Sequence, residues 1–336
     1  MVEKAKALLK KEKAKSFSIS TKIPKDWLVR EEDVWDRRMC DKTESLKNML
    51  NRTIAASLRE GTSLPYDTDG DCRLVFDYRE GEVSLERNGL FIFGRYRKLV
   101  PGISQSRWTC PKCKGKGCKK CGGKGKNYDS VEEKAGEPVK KAAEAADYVM
   151  HASGREDVDA TNSAGRAFVL EVKDPKAREL DYKAIAEEIA KGNEVSVDGL
   201  RTVKRGFVEV VTESHFDKTY KAEVRFGREL TDEDKERIEG IAGRTILQRT
   251  PTRVAHRRAD LVRHRKVKEL KVLESAGTSA KLLIKAEAGT YIKELISGDE
   301  GRTEPSISDL LSTKAECVSL DVSEIDDGFL DFVLKD

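Results

Sequence analysis

Residues 279–297 read SAKLLIKAEAGTYIKELIS, and this stretch decides the fold class. Residues 279–286 alternate as a strand does. Gly289 lets the backbone turn, and the residues after it open a short helix with Lys293 near its N-terminus. Strands interspersed with short helices in this way predict an α+β fold rather than a doubly wound one. Working back along the chain, residues 194–197, 202–212 and 219–226 read as strands, as do 268–273 and 316–320. Thr231 is placed to cap an acidic helix to about Ile241, with Asp234 at the box position. Residues 181–191 form an amphipathic helix stopped by Gly192-Asn193, and 168–172 form a strand. Residues 129–137 read as a polar linker, with Pro138 starting a helix to about Met150. Nearer the N-terminus, 16–21, 72–78, 82–85 and 90–93 read as strands and 43–58 as a helix, a smaller α+β module of its own.

The chain has 336 residues, enough for two or three domains. Its hydrophobic fraction is 38% and its charged fraction 37%. No apolar run approaches the ~18 residues of a spanning helix, which excludes a membrane protein. The Met1 end lacks the apolar core of a secretory signal, so a cytoplasmic location is expected. Net charge is only +4, yet the charge is clustered. Residues 107–126 carry Lys and Arg with no acid, and 244–268 carry nine Lys or Arg against Asp260 alone. Two such blocks in a nearly neutral chain point to a polyanionic partner.

Four of the seven cysteines lie close together: Cys110, Cys113, Cys118 and Cys121. They form two end-to-end copies of C-x-x-C-x-G-x-G. Each copy points two thiolates at one ion from a tight knuckle, and four thiolates close a tetrahedral zinc site with no open position. The expected metal is therefore a structural Zn2+. Disulfides are the alternative, disfavoured in a reducing compartment. Cys40, Cys72 and Cys317 are isolated and read as small apolar residues.

Four further segments carry polar chemistry. Residues 153–159 pack Arg155 among Glu156, Asp157 and Asp159; a carboxylate beside an arginine stays ionised at neutral pH and suits a nucleophile or base. A salt-bridged turn is the other reading. Tyr220 starts a strand and is able to stack on a planar base, or is simply a core tyrosine. The 287–295 turn brings Tyr291 and Lys293. Residues 248–260 hold Arg249, Arg253, His256, Arg257 and Arg258 around Pro251, which argues against a continuous helix. An arginine-rich loop suits phosphate contacts.

The stretches GREDVDA (154–160), KTYKAEV (218–224), RTPTRVAHRRADLVR (249–263) and GTYIKELISGDEGRTEPS (289–306), in this order and with the CxxC pair before them, resemble the pseudouridine synthases, and specifically the archaeal-type tRNA pseudouridine-54/55 synthases. The resemblance covers most of the chain. It implies a catalytic domain over 131–336 with a mixed, mainly antiparallel sheet flanked by helices and loops, and a thumb-like basic loop over 244–268. It implies a THUMP-like RNA-binding accessory domain over 1–130 with a zinc module near 107–126. Asp157 falls where the family carries its essential aspartate, Tyr220 matches the tyrosine that packs on the target base, and Lys293 takes the basic position, with Tyr291 before it. Arg155, Tyr291, Arg249, Arg253, His256, Arg257 and Arg258 are then substrate-binding candidates. The chain departs from the pattern at residues 161–168, TNSAGRAF, where an arginine is missing and the loop is altered.

The implied activity is isomerisation of uridine to pseudouridine in the TΨC loop of tRNA, at position 54 and/or 55, by a monomer with no organic cofactor. Neither a GxxxxGK nor a GxGxxG cradle is present, in keeping with that. Two other classes fit part of the sequence. A non-catalytic zinc-containing tRNA-binding protein explains the basic blocks and cysteines. A glycosidic hydrolase would draw on a pair among Glu156, Asp157 and Asp159.

Overall fold

The structure, a computed structural model, describes residues 1–38 and 44–334, so Cys40 lies outside it. Two compact units share the chain. One comprises Met1–Phe91, Lys140–Tyr148 and Glu171–Leu180; the other comprises Ile92–Val139, Val149–Leu170 and Asp181–Asp336. The first stretch of unit one ends at Phe91, and the cysteine segment falls in the second unit.

In the first unit, β1 (Phe17–Lys22), β2 (Cys72–Asp77) and β3 (Glu82–Arg87) form a sheet in that order. β1 and β2 are parallel, with Phe17 opposite Cys72, and β2 and β3 are antiparallel. A parallel pair needs a crossover, which the helix Leu46–Thr62 supplies. That helix begins three residues later than the sequence suggests, because Ser45 caps it by accepting the Asn48 N–H at 3.3 Å. Its Ile54 and Leu58 join Leu9, Phe17, Leu74 and Phe76 in one core, while Met49 stays exposed.

The second unit is built on a ten-stranded sheet. Its strands are β4 (Leu90–Lys98), β5 (Asp147–Ala152), β6 (Thr161–Lys173), β7 (Val195–Val203), β8 (Lys218–Phe226), β9 (Thr245–Arg249), β10 (Val262–Ala276), β11 (Ser279–Ala286), β12 (Thr303–Glu304) and β13 (Ala315–Ile325). The order is β12-β9-β10-β11-β8-β13-β6-β4-β7, with β5 pairing β6. β8, β9, β10, β11 and β13 meet antiparallel, and β13 meets β6 parallel. Alternation on β8 turns Tyr220, Ala222, Val224 and Phe226 inward against Leu282, Ile284, Leu270 and Ile238. Burying each such large apolar side chain contributes roughly 1.5–3 kcal/mol. The α+β class and the large mixed sheet flanked by helices are as the sequence indicates.

Four local expectations are corrected. The helix near Pro138 spans Val131–Ala142 and contains that proline, because Ser130 caps it by accepting the Glu133 N–H at 3.2 Å; residues 147–152 are strand. Residues 207–213 are helix, not strand: Phe207 packs edge-on against Phe93, with ring centroids 5.6 Å apart, and Val211 is fully buried. The altered stretch 161–165 is no loop but the start of β6. The basic 244–268 segment is largely β9 and the first part of β10, with Val262 opposite Arg249 and a 3-10 turn at Thr252–Arg257 between them.

Candidate functional site

The GREDVDA turn is held from below by side chains that come from distant strands. On β4, Tyr96 and Lys98 point inward with every second residue, and both are fully buried. The Tyr96 hydroxyl donates to the Glu156 carboxylate at 2.9–3.0 Å and accepts from Gln105 Nε2 at 3.0 Å. Gln105 Nε2 also reaches the Gly154 carbonyl at 2.7 Å. From β6, Arg166 donates through Nε to Glu156 at 2.9 Å and through Nη1 to the Ser153 carbonyl at 2.9 Å. Both side chains of this ion pair are 1% exposed. Lys98 Nζ donates to the carbonyls of Asp157 and Val158 at 2.9 and 2.8 Å. Burial pulls the Lys98 amine below its ordinary range, against the pull of the surrounding carboxylates.

This scaffold sorts three neighbouring carboxylates. Glu156 goes inward and is consumed by Arg166 and Tyr96. Asp159 points outward, with both oxygens 2.6 Å from Lys293 Nζ. Burial opposes the Asp159 charge, but Lys293 outweighs it and holds the carboxyl below the usual range. Asp157 lies between them on a cleft of about 400 Å³ that it shares with Tyr220, Tyr291, Lys293, Lys218 and Arg253. That volume is within the range of small-molecule sites. Asp157 accepts from Arg253 Nη1 at 2.8 Å, and its other oxygen is 3.9 Å from Lys293 Nζ. Tyr220 is 8% exposed; burial pushes its hydroxyl up to about 12, so it is a neutral phenol at pH 7. Burial, aided by Arg166, pulls the Lys218 amine down to about 8.

The residues singled out in the sequence do not all meet here. Asp157, Tyr220, Lys293, Arg155, Tyr291, Arg253 and Arg258 line the cleft. The Arg155 guanidinium lies over the Trp108 ring, 5.8 Å from its centroid, whereas the hydrogen bond to Asp157 comes from Arg253. Arg249 is bound bidentately to Asp260, and His256 is exposed; neither lines the cleft. The side chain of Arg257 lies outside the described residues. Sequence reading missed Tyr96, Lys98, Gln105, Arg166 and Glu294. The signal for the first two was the period-two continuation of the 90–93 strand through Gly94-Arg95-Tyr96-Arg97-Lys98.

The cysteine segment is a second, separate arrangement in this unit. Its four Sγ atoms all lie within 4.8 Å of one another, with pairs at 3.8, 3.9 and 3.8 Å. A Zn–S distance of about 2.3 Å in a tetrahedron requires S···S separations of about 3.8 Å, so the four thiols fit that ion. The two copies pack glycine against glycine. A Cβ on Gly117 would lie 2.5 Å from the Gly123 carbonyl oxygen, and one on Gly125 would lie 2.3 Å from that of Gly115. Both have positive φ, so no other residue type fits either place. Burial raises the Cys121 thiol, but the N–H groups of Cys118 and Gly125, each 3.2 Å from its Sγ, outweigh this and bring it to about 6. A thiol so placed is poised to ligate as thiolate.

Comparison with known proteins gives the family. Residues 91–326 match the family model described as Pus10, C-terminal. The tRNA pseudouridine synthase Pus10 of Korarchaeum cryptofilum is 38% identical over 97% of this chain and 89% of that protein. The protein of the same name from Methanocaldococcus jannaschii is 40% identical over 98% of this chain and 73% of its own length. A solved Cbf5-Nop10-Gar1 complex aligns with 55% of this chain and 41% of that chain at 21% identity and a TM-score of 0.33, too distant to add to the assignment. The model match and the near-full-length relatives carry it, and the chain belongs to the Pus10 family of tRNA pseudouridine synthases.

Proposed function

We propose that this chain isomerises uridine to pseudouridine in tRNA at the cleft that holds Asp157. The observation that carries the reading is the meeting of Asp157 with a nearly buried tyrosine, Tyr220, in one cleft of about 400 Å³ whose lining also includes Arg155, Lys218, Arg253, Arg258 and Lys293. The reaction breaks N1–C1′ and forms C5–C1′. The C5 proton leaves, N1 gains one, and the mass is unchanged. A base in a folded RNA loop must first be turned out of its stack, at a cost of a few kcal/mol. Tyr220 offsets part of that by stacking, a contact worth ~1–3 kcal/mol per base. Asp157 then acts as nucleophile or base at the sugar or the ring, with Arg253 hydrogen-bonded to it and Lys293 nearby. Arg155, Arg258 and Tyr291 hold the flipped nucleotide, and Arg249, His256 and Arg257 engage phosphates of the arm.

The target is the TΨC arm, at position 54 and/or 55, and the enzyme acts as a cytoplasmic monomer. Among the described residues, no helix is long and apolar enough to cross a membrane. Zinc held by Cys110, Cys113, Cys118 and Cys121 supplies structure only, and residues 1–130, with that zinc module near their end, serve as the THUMP-like RNA-binding part. Glycosidic hydrolysis needs a second carboxylate beside Asp157, but Glu156 is locked to Arg166 and Tyr96 and Asp159 is paired through both oxygens with Lys293. The test is incubation of the purified chain with an unmodified tRNA transcript. The expected product is an isomer of unchanged mass at 54 or 55. Released uracil, or unchanged uridine at both positions, would refute the reading.

A further inference from the structure

We infer that Glu294 is a positioning residue that fixes Arg253 onto Asp157, and that Arg253, not Lys293, is the cation that orients this carboxylate. The inference rests on the Asp157 reading above. Glu294 sits on the helix Ile292–Ser297 with its side chain only 5% exposed. A carboxylate buried to that degree needs a charged, hydrogen-bonded partner. Arg253 supplies it along one edge of the guanidinium, with Nε 2.6 Å from Oε1 and Nη2 3.4 Å from Oε2. The opposite corner, Nη1, is left to donate to Asp157 at 2.8 Å.

The planar fork of arginine makes this division possible. Its five donors keep fixed directions, so anchoring one edge aims the other. An ammonium has no such second edge. Lys293, the residue before Glu294, is taken up by both oxygens of Asp159 and stays 3.9 Å from Asp157. The two elements that carry the bridge are themselves fastened together. Gln248 on β9 exchanges hydrogen bonds with the backbone of Tyr291, each 2.9 Å long, and Asp299 accepts the Thr252 N–H at 2.8 Å. A group held this way before substrate arrives needs no reorganisation during the reaction.

The test is a double-mutant cycle on the full metal-bound chain with a tRNA transcript, read as single-turnover rate at saturating RNA and, separately, as RNA affinity. Glu294→Gln should lower the rate about thirtyfold while the dissociation constant moves less than about threefold. Arg253→Lys should lower the rate similarly, and the double variant should be no slower than Arg253→Lys alone. A Glu294→Gln rate within about twofold of the parent would overturn the inference, as would a double variant showing the product of the two single losses. Should Glu294→Gln lose its cooperative melt, Glu294→Asp takes its place. That variant keeps the charge but withdraws it by one methylene. A loss of about tenfold at unchanged affinity supports the role, and a parental rate refutes it. Asp157→Asn runs alongside. If it is active, the Asp157 reading falls; if it is inactive while Glu294→Gln is parental, only the positioning role falls.

Discussion

The cysteine knuckle and the GREDVDA turn are both short, polar and glycine-bearing, and they belong to the same compact unit, yet they are held in opposite ways. The knuckle is specified from within. Its four thiols, its turn glycines and the backbone donors to Cys121 all come from residues 110–125. The 153–159 turn is specified from outside. Tyr96 and Lys98 from β4, Gln105, and Arg166 from β6 fix its backbone and its inward carboxylate. A structural ion needs only a local cage, whereas a reactive carboxylate must be presented to a cleft and therefore borrows rigidity from the sheet.

Breaking the outer scaffold should have the largest effect. Arg166→Met leaves Glu156 without its ion-pair partner in a site that admits almost no water, with only the Tyr96 hydroxyl still bonded to it, and should cost about 3–5 kcal/mol of stability. A thermal melt within a degree or two of the parent would show that the pair does not brace the turn. Lys98→Met removes two hydrogen bonds to the backbone beside Asp157 and should cost about 1–3 kcal/mol. It should also slow turnover more than it weakens tRNA binding, a split read by comparing the two directly.

The knuckle should respond in the contrary sense. With the four thiols holding the proposed zinc, a chelator should raise hydrogen exchange over residues 107–126 and leave the 153–159 turn protected. Equal loss of protection in both segments would mean the two regions are one cooperative element after all. Smaller still is the local device at Thr231, whose hydroxyl and Asp234 cap a helix reciprocally; Thr231→Ala should cost about 1 kcal/mol in a denaturant titration.

A pH series sharpens the same contrast. The folded-state pKa of Lys218 lies near 8, below the ordinary lysine value of 10.5, chiefly through burial. Between those two values the unfolded chain binds more protons than the folded one, so the parent gains stability as pH rises. The melting-temperature difference, Lys218→Met minus parent, should therefore fall steadily from about pH 8 to 10.5. A flat difference would place this amine in water rather than in the sheet.

What could be read in advance divides along the same line. The cysteine spacing, the Thr231 box, the helix read over 181–191 and the alternation of β8 and β11 are patterns within a few residues, and each appears in the structure. Residues 207–213 misled because Val208, Val210, Val211 and Thr212 favour strand locally, while burial of Phe207 and Val211 decides for helix. Lys98 and Arg166 were given no role; only the strand order that brings β4 beside β6 gives them buried partners. Among the cleft residues, Asp157, Tyr220 and Lys293 were visible through a family resemblance. The Arg253–Glu294 bridge was not, because it joins a 3-10 turn to a helix about forty residues away, and no spacing rule connects them.

The central claim is that the Asp157 carboxylate performs the isomerisation. Its most direct test is the single-turnover rate of Asp157→Asn on a tRNA transcript, with RNA affinity measured on the same preparation. The account predicts a rate at least about 10⁴-fold below the parent with affinity nearly unchanged; a folded Asp157→Asn that forms pseudouridine at the parental rate would contradict it.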